Sequence, residues 1–168
     1  MKDKKFNNKE VKNIMADYSP KESLNAAEIK SLLTALRKVN FLSVVSMETI
    51  DKIISRFFKK SVKKGTVIIK EATVGEAFYV IKKGRCLVYK KGGLFFTKKI
   101  VELKEGDFFG EMSLILDEKT SASIKALEDT ELFVLLKNSF LEILNNSPEL
   151  KKEVEFIAEK RKFQTEKL

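Results

Sequence analysis

Two segments near the N-terminus repeat apolar residues at the spacing of an amphipathic helix. The first follows Asn25 and Glu28, a pair typical of a helix cap, because each side chain can bond to the backbone N–H of the other residue. The second follows Ser46, a residue type that favours the start of a helix. The apolar positions are Ile29, Leu32, Leu33 and Leu36 in the first segment and Ile50, Ile53, Ile54 and Phe57 in the second. We therefore predict two N-terminal helices.

From residue 58 to residue 136 the pattern changes to short β-rich runs. All seven glycines lie between Gly65 and Gly110, and runs separated by glycines in this way predict hairpins. Apolar and polar residues then alternate over residues 122–126, which is typical of a strand with one buried face. The β-rich runs are residues 67–69, 78–81, 86–89, 94–96, 100–103 and 132–136. Many short antiparallel strands of this kind predict a jelly-roll-like β-barrel.

The C-terminal part returns to helical spacing. Residues 137–144 predict a short helix, and Pro148 suits the first turn of a longer one. One stripe along the longer helix consists of Leu150, Val154, Ile157 and Arg161.

These patterns divide the chain into four parts. The first part is polar and lysine-rich with few core candidates, and we expect it to form an arm outside the fold. The parts are the arm at residues 1–22, the N-terminal helices at 23–57, the barrel at 58–136 and the C-terminal helices at 137–168. The predicted fold class is mainly β with flanking helices, an antiparallel barrel with an N- and C-terminal helical subdomain.

The composition excludes several classes of catalytic site. Histidine is absent, which removes His-based metal sites, Ser-His and Cys-His nucleophile pairs, and a cupin-type metalloenzyme. Acidic neighbours such as Asp117 and Glu118 fall in predicted turns, where acids are usually solvated. No residues form a pattern typical of a poised nucleophile and base, so we do not predict an enzyme.

The net charge of +9 is concentrated in the middle of the chain. Residues 41–100 contain 14 basic and 4 acidic residues, whereas residues 101–168 contain 10 basic and 15 acidic residues. A basic block of this kind could attract an anionic ligand, nucleic acid or a membrane surface. The alternative is that the paired lysines at strand ends and turns face water. We favour the alternative, because no aromatic residues interleave the lysines as a platform for stacking bases.

The sequence also predicts a cytoplasmic location. The single cysteine, Cys86, cannot form an internal disulfide, which fits a reducing compartment. No apolar run is long enough to span a bilayer, and the first residues lack the apolar region of a signal peptide.

Residues 109–126 contain the clearest candidate chemistry. The loop at Gly110 exposes backbone amides that can hold a phosphate, and Glu111 offers a carboxylate to sugar hydroxyls. A hydroxyl-rich strand follows. This segment resembles the phosphate-binding cassette of cyclic nucleotide-binding domains, of the catabolite activator protein, protein kinase A regulatory subunit and cyclic nucleotide-gated channel type. Thr120 stands where that family has an arginine against the cyclic phosphate.

The resemblance extends over about residues 25–160, and it implies the fold and the ligand site of the family. It implies that Glu111 accepts the ribose 2′-hydroxyl and that the amides of Met112 and Ser113 face the phosphate. Apolar side chains would line the base, and the C-terminal helix would cover it with Ile157 and Arg161. The predicted ligand-binding residues are Val101, Leu103, Phe109, Gly110, Glu111, Met112, Ser113, Lys119, Thr120, Ser121, Ala122 and Arg161.

The threonine at the arginine position weakens the expected phosphate contact without removing it. A charge-assisted hydrogen bond contributes about 1.5–3 kcal/mol and a neutral hydroxyl less, so the loss corresponds to about one to two decades of affinity. Ser121 could still donate to the ligand. Lys119 could supply a point charge, although it lacks the forked geometry of arginine.

Each of these assignments has a structural alternative. Glu111 could cap the turn that follows it, Val101 and Leu103 could be ordinary core residues, and the serines could form a solvated strand face. The stripe on the C-terminal helix could dock permanently on the barrel or pair with a second copy of the chain.

The resemblance implies a stand-alone regulatory module. It would bind cyclic AMP or cyclic GMP as a regulatory ligand, without another cofactor, and signal to a separate effector protein through its C-terminal helix. The alternative is a degenerate domain that keeps the fold as a protein-interaction scaffold. A DNA-binding helix-turn-helix is not expected, because the sequence ends at Leu168. A homodimer is left open.

Overall fold

The computed structural model describes residues 24–37, 45–92 and 96–167. The predicted arm at residues 1–22 and the first two residues of the predicted run 94–96 lie outside these ranges. The helices are α1 (Ala26–Arg37), α2 (Met47–Ile54), α3 (Glu111–Ile115), α4 (Lys137–Asn145) and α5 (Pro148–Glu166). The strands are β1 (Phe58–Val62), β2 (Val67–Ile69), β3 (Ala77–Lys83), β4 (Arg85–Gly92), β5 (Phe96–Lys104), β6 (Phe108–Phe109), β7 (Ser123–Ala126) and β8 (Thr130–Leu136).

The strands form two antiparallel sheets of four strands each. Their orders are β1-β8-β3-β6 and β2-β7-β4-β5. Residues from both sheets, among them Ile81, Cys86 and Ile124, meet in one buried cluster. This arrangement, with helices before and after the strands, confirms the predicted mainly β, jelly-roll-like fold.

A second buried cluster packs the helices against the outer face of the first sheet. Phe78 of β3 stacks on Phe140 of α4 with ring centroids 5.3 Å apart, and Phe133 of β8 joins the same cluster. Because neighbouring residues of a strand point to opposite faces, β3 and β8 are buried on both sides. This explains why the sequence shows continuous apolar runs at these strands instead of alternation.

Helix α1 begins with the predicted cap, and Glu28 of that cap also attaches the helix to the barrel. The Glu28 N–H donates to Asn25 Oδ1 and the Asn25 N–H donates to Glu28 Oε2, each at 3.0 Å. The Glu28 carboxylate also contacts the ammonium groups of Lys59 and Lys82 at 3.1 Å. The backbone N–H bond and the two lysines outweigh burial and lower the pKa of Glu28 to about 2.

Strand β5 corrects one detail of the sequence prediction. The sequence suggested separate runs at 94–96 and 100–103, whereas Phe96–Lys104 is one strand. Its polar residues Thr97, Lys98 and Lys99 are exposed and pair with the end of β4. Polar side chains are compatible with this position because β5 is the edge strand of its sheet.

The helices leave no candidate for a membrane span within the described ranges, since none is both long enough and apolar enough.

Candidate functional site

A cavity of about 410 Å³ opens between the second sheet, the β6–α3 turn and the end of α5. Its volume lies within the range of about 300–1,000 Å³ that is usual for small-molecule sites. Eleven of the twelve predicted ligand-binding residues line it: Val101, Leu103, Phe109, Gly110, Glu111, Met112, Ser113, Thr120, Ser121, Ala122 and Arg161. The walls between them are apolar, and Val101, about half exposed, lies at the rim.

Six lining residues were not identified from the sequence. They are Ile69, Val88, Ile100, Ile124, Gln164 and Thr165. Gln164 and Thr165 follow Arg161 by three and four positions, so helical spacing could have placed them on the same face of α5. The four aliphatic residues lie in predicted strands and could not be distinguished from ordinary core residues.

The turn that enters α3 requires a glycine. Gly110 has a φ of 93°, and a Cβ at this position would lie 2.6 Å from the Ala77 carbonyl oxygen. A side chain would therefore be strained by the backbone conformation and would also collide with β3. This tight turn directs the next residue, Glu111, into the cavity wall.

Glu111 is buried and paired with an arginine from the C-terminal helix. Its side chain is 1 % exposed, and Arg161 Nη1 donates to Glu111 Oε1 at 2.7 Å. Burial raises the pKa of the Glu111 carboxyl, and the Arg161 guanidinium opposes that shift. Arg161 Nη1 also donates to the Phe108 carbonyl oxygen at 3.1 Å, and its guanidinium lies 4.1 Å from the centre of the Phe108 ring. Glu111 and Arg161 were each predicted to contact the ligand, and in the structure they contact each other.

Thr120 uses its hydroxyl to hold a neighbouring turn. The hydroxyl donates to the Lys70 carbonyl oxygen at 2.6 Å and accepts from the Thr73 N–H at 3.0 Å. The Ala72 N–H donates to the Thr120 carbonyl oxygen at 2.8 Å, which holds Ala72 at a φ of 62°. Thr120, the residue predicted to stand at the position of the family arginine, therefore has a buried hydroxyl that is bonded to backbone.

Lys119 does not line the large cavity. It borders a smaller cavity of about 60 Å³, together with Glu118 and Lys162. Ser121 borders both cavities. The proposed contribution of Lys119 to a phosphate contact therefore has no support in this arrangement.

The last turns of α5 close one side of the large cavity. Arg161, Gln164 and Thr165 reach the lining, whereas Ile157 packs against the helical core and is not part of it. The contact of Ile157 with a ligand base therefore stays a prediction, since Ile157 does not line the cavity here.

Two further polar contacts hold α5 in place. Lys162 Nζ lies 2.6 Å from Glu118 Oε1, and Lys90 Nζ donates to the Thr165 carbonyl oxygen at 3.4 Å.

Neither Cys86 nor the acidic residues of the described ranges add a nucleophile or a metal site to the large cavity. Cys86 is buried in the sheet core, and burial raises the pKa of its thiol to about 11, so the thiolate is disfavoured. Within the described ranges, acidic and cysteine side chains do not cluster in a way that could hold a metal ion.

Comparison with known proteins relates this geometry to one family. The family model described as "Cyclic nucleotide-binding domain" matches residues 59–147, which is more than half of the chain. The chain is 33 % identical over 117 residues to a cAMP-dependent protein kinase regulatory subunit of Debaryomyces hansenii, covering 70 % of this chain and 25 % of that protein. It is 32 % identical over 127 residues to the cGMP-dependent 3′,5′-cGMP phosphodiesterase A of Dictyostelium discoideum, covering 73 % of this chain and 14 % of that protein.

A solved structure of a cAMP-bound protein is also similar to this chain. The cAMP-bound structure of PfPKA-R superposes with a TM-score of 0.70 at 29 % identity, covering 76 % of this chain and 45 % of that one. The chain spans a quarter or less of the length of these two curated relatives.

Proposed function

Because the chain belongs to the cyclic nucleotide-binding domain family, we propose that it is a regulatory module that binds cyclic AMP or cyclic GMP in the large cavity. The observation that carries this proposal is the position of Glu111, a buried carboxylate in an apolar cavity beside a glycine turn. A carboxylate in such a site can accept ribose hydroxyls, and the apolar walls suit a purine. The cAMP-bound relative supports a ligand of this class.

We assign the parts of the ligand to the parts of the cavity. The ribose 2′-hydroxyl donates to Glu111, and the base lies against Val101 and Leu103, which project from the same face of β5. The amides of Met112 and Ser113 and the hydroxyl of Ser121 face the phosphate. Without an arginine at position 120 we expect this phosphate contact to be weak.

The regulatory output would pass through α5. Arg161 joins Glu111 to the end of this helix, so a ligand that bonds to Glu111 also changes the environment of Arg161. This coupling supports α5 as the element that signals to a separate effector protein. The effector, a homodimer and the cytoplasmic location remain proposals from the sequence.

We propose a binding function and not a catalytic one. The matched family is described by its binding activity. The phosphodiesterase relative is an enzyme, but this chain corresponds to 14 % of its length, so the enzymatic name does not carry over.

A degenerate domain without a ligand is the second candidate. The observations in its favour are the Thr120 hydroxyl, already bonded to backbone, and the Glu111 carboxylate, already bonded to Arg161. In that case the fold would serve as an interaction scaffold.

Titration with cyclic AMP and cyclic GMP distinguishes the two candidates. We expect calorimetry to detect binding, and amide signals of residues 109–122 to shift. Glu111→Ala should weaken binding by about tenfold or more, since it removes a charged hydrogen-bond acceptor. Glu118→Ala is the matched control, because Glu118 also pairs with α5 but borders the smaller cavity. If millimolar concentrations of both nucleotides change neither heat nor amide signals, the scaffold is the better description.

A further inference from the structure

The charges that line the large cavity cancel each other. Of the described residues in its lining, Glu111 and Arg161 alone carry formal charges. They pair at 2.7 Å, and Glu111 is almost completely buried. Such a pair is strongly coupled, and removing either partner leaves an uncompensated charge. The cavity thus offers a ligand no cation that is not already engaged.

Thr120, at the predicted position of the phosphate-binding arginine, cannot supply a cation, and its hydroxyl is already bonded to backbone. Thr120 is 7 % exposed, and its hydroxyl hydrogen is directed to the Lys70 carbonyl oxygen. Turning that hydrogen toward a ligand would break this 2.6 Å bond and leave the Lys70 carbonyl oxygen with the Thr73 hydroxyl as a donor.

Three lysines beside α5 and the smaller cavity have other contacts or positions. Lys119 borders the smaller cavity, and Lys162, which borders the same cavity, pairs with Glu118. Lys90 contacts the end of α5 at the Thr165 carbonyl oxygen. None of these three side chains belongs to the lining of the large cavity.

This charge balance would disfavour a cyclic nucleotide more than an uncharged ribonucleoside. A 3′,5′-cyclic phosphodiester carries one negative charge and would bring it into an apolar cavity whose lining arginine is already paired with Glu111, so the cost of desolvating that charge is not offset. A ribonucleoside carries no charge, and its free 3′- and 5′-hydroxyls add donors that the cyclic ester lacks. Ser121 and the Glu111 carboxylate are suitable partners for hydroxyls.

We propose that this cavity selects an uncharged ribonucleoside over the corresponding cyclic nucleotide. This inference rests on the proposed function, since it places the ribose of the ligand on Glu111 in the same cavity.

Parallel calorimetry of the full chain with adenosine, guanosine, cyclic AMP and cyclic GMP tests the inference. We expect the better nucleoside to bind at least about tenfold more tightly than its own cyclic nucleotide. We expect 2′-deoxyadenosine to bind about tenfold more weakly than adenosine, because it cannot donate a 2′-hydroxyl to Glu111.

Glu111→Gln tests whether the charges of the cavity cause the preference. The substitution keeps the shape of the side chain, removes the charge that pairs with Arg161 and so leaves Arg161 as an unpaired cation in the lining. The ratio of nucleoside to cyclic nucleotide affinity should fall by about tenfold or more. Glu118→Gln releases Lys162 beside the smaller cavity and should leave the ratio unchanged.

The outcomes separate the inference from the function on which it rests. If a cyclic nucleotide binds as tightly as its nucleoside or more tightly, the inference is overturned and the proposed function stands. If nucleosides bind and neither cyclic nucleotide does, the inference stands and the cyclic nucleotide of the proposed function is overturned. If no compound binds, the proposed function fails and the inference fails with it. An affinity ratio that Glu111→Gln leaves unchanged would show that the preference has another cause and would also overturn the inference.

Discussion

At the scale of a single residue, Thr120 both lines the large cavity and holds the neighbouring turn at residues 70–73. It lines the large cavity, and its hydroxyl and backbone together bond to Lys70, Ala72 and Thr73. Ala72 adopts a left-handed conformation that is costly for alanine, so the surrounding bonds must hold it. Thr120 therefore contributes to the fold as well as to the cavity.

Thr120→Val should destabilise the protein. It keeps the shape but removes the hydroxyl that bonds to the Lys70 carbonyl oxygen and the Thr73 N–H. Because the Thr73 hydroxyl also donates to the Lys70 carbonyl oxygen, we expect a cost of about 1 kcal/mol. Chemical denaturation measures the change in the free energy of unfolding. Thr34→Val is the control, because the Thr34 hydroxyl also donates to a backbone carbonyl but is exposed on α1. Equal effects of the two substitutions would contradict a structural role for the Thr120 hydroxyl.

At the scale of secondary-structure elements, charged residues attach two helices to the barrel. Helix α1 is held by Glu28, which closes its cap and contacts Lys59 and Lys82. Helix α5 is held near its end by the Arg161–Glu111 pair and the Lys162–Glu118 pair. The attachment of α1 lies away from the large cavity, whereas the Arg161–Glu111 pair of the α5 attachment forms part of its wall. We therefore expect different consequences for the two attachments.

The attachment of α1 should depend on pH. The pKa of Glu28 is about 2 in the folded protein, against an ordinary value of 4.5. A carboxyl with a lowered pKa stabilises the fold fully above its unfolded value, and this contribution is lost as the pH falls from 4.5 through about 2. The loss is at most about 3 kcal/mol.

The pH dependence can be measured by thermal melting across this range. Glu28→Gln retains the ability to cap the helix but has no charge, so it should flatten the decrease between pH 4.5 and about 2. Glu48→Gln removes an exposed carboxylate of α2 that pairs with Lys52 and serves as the control. If both variants follow the native curve, Glu28 does not supply the pH-dependent contribution.

The attachment of α5 should respond to ligand. Because Arg161 contacts Glu111, a ligand that occupies the cavity and orders this contact should slow hydrogen exchange over residues 154–163. Exchange in α1 should not change, since this helix does not line the cavity. Exchange measured with and without saturating ligand tests this directly. Equal rates in residues 154–163 would place the switch elsewhere or show that there is none.

At the scale of the whole molecule, one buried cluster holds the two sheets together and another holds the helices on the first sheet. The cluster between the sheets consists of strand residues, whereas the cluster on the outer face of the first sheet includes Leu150 and Val154 of α5. The cavity lies where the second sheet meets the end of α5. Folding of the sheets and closure of the cavity therefore depend on different contacts.

Truncation after Leu150 should separate these two properties. The shortened chain loses Val154 from the helical cluster and Arg161 from the cavity, but it keeps the cluster between the sheets. We expect a lower melting temperature, a retained β-type circular dichroism spectrum, and ligand binding weakened by about tenfold or more. Loss of the β spectrum would show that the sheets need α5 to fold. Full binding would show that α5 is not part of the site.

Local patterns in the sequence were sufficient for most of the elements and for the entry to the site. The caps at Asn25 and Ser46 and the start of α5 at Pro148 are confirmed, because capping depends on residues within one turn of each other. The glycine at position 110 marked the turn beside the cavity for a similar reason, since its φ of 93° is a local property.

The charge balance of the cavity was decided by tertiary structure. Arg161 and Glu111 are far apart in the chain, and their pairing depends on how α5 docks on the β6–α3 turn. Lys119 was a plausible phosphate contact in the sequence, yet the connection between α3 and β7, bridged to Val74, places it at the smaller cavity. Electrostatic contacts act over a few ångströms in space and not along the chain, so the sequence named the charged residues, and the docking of α5 determined which charges were already paired.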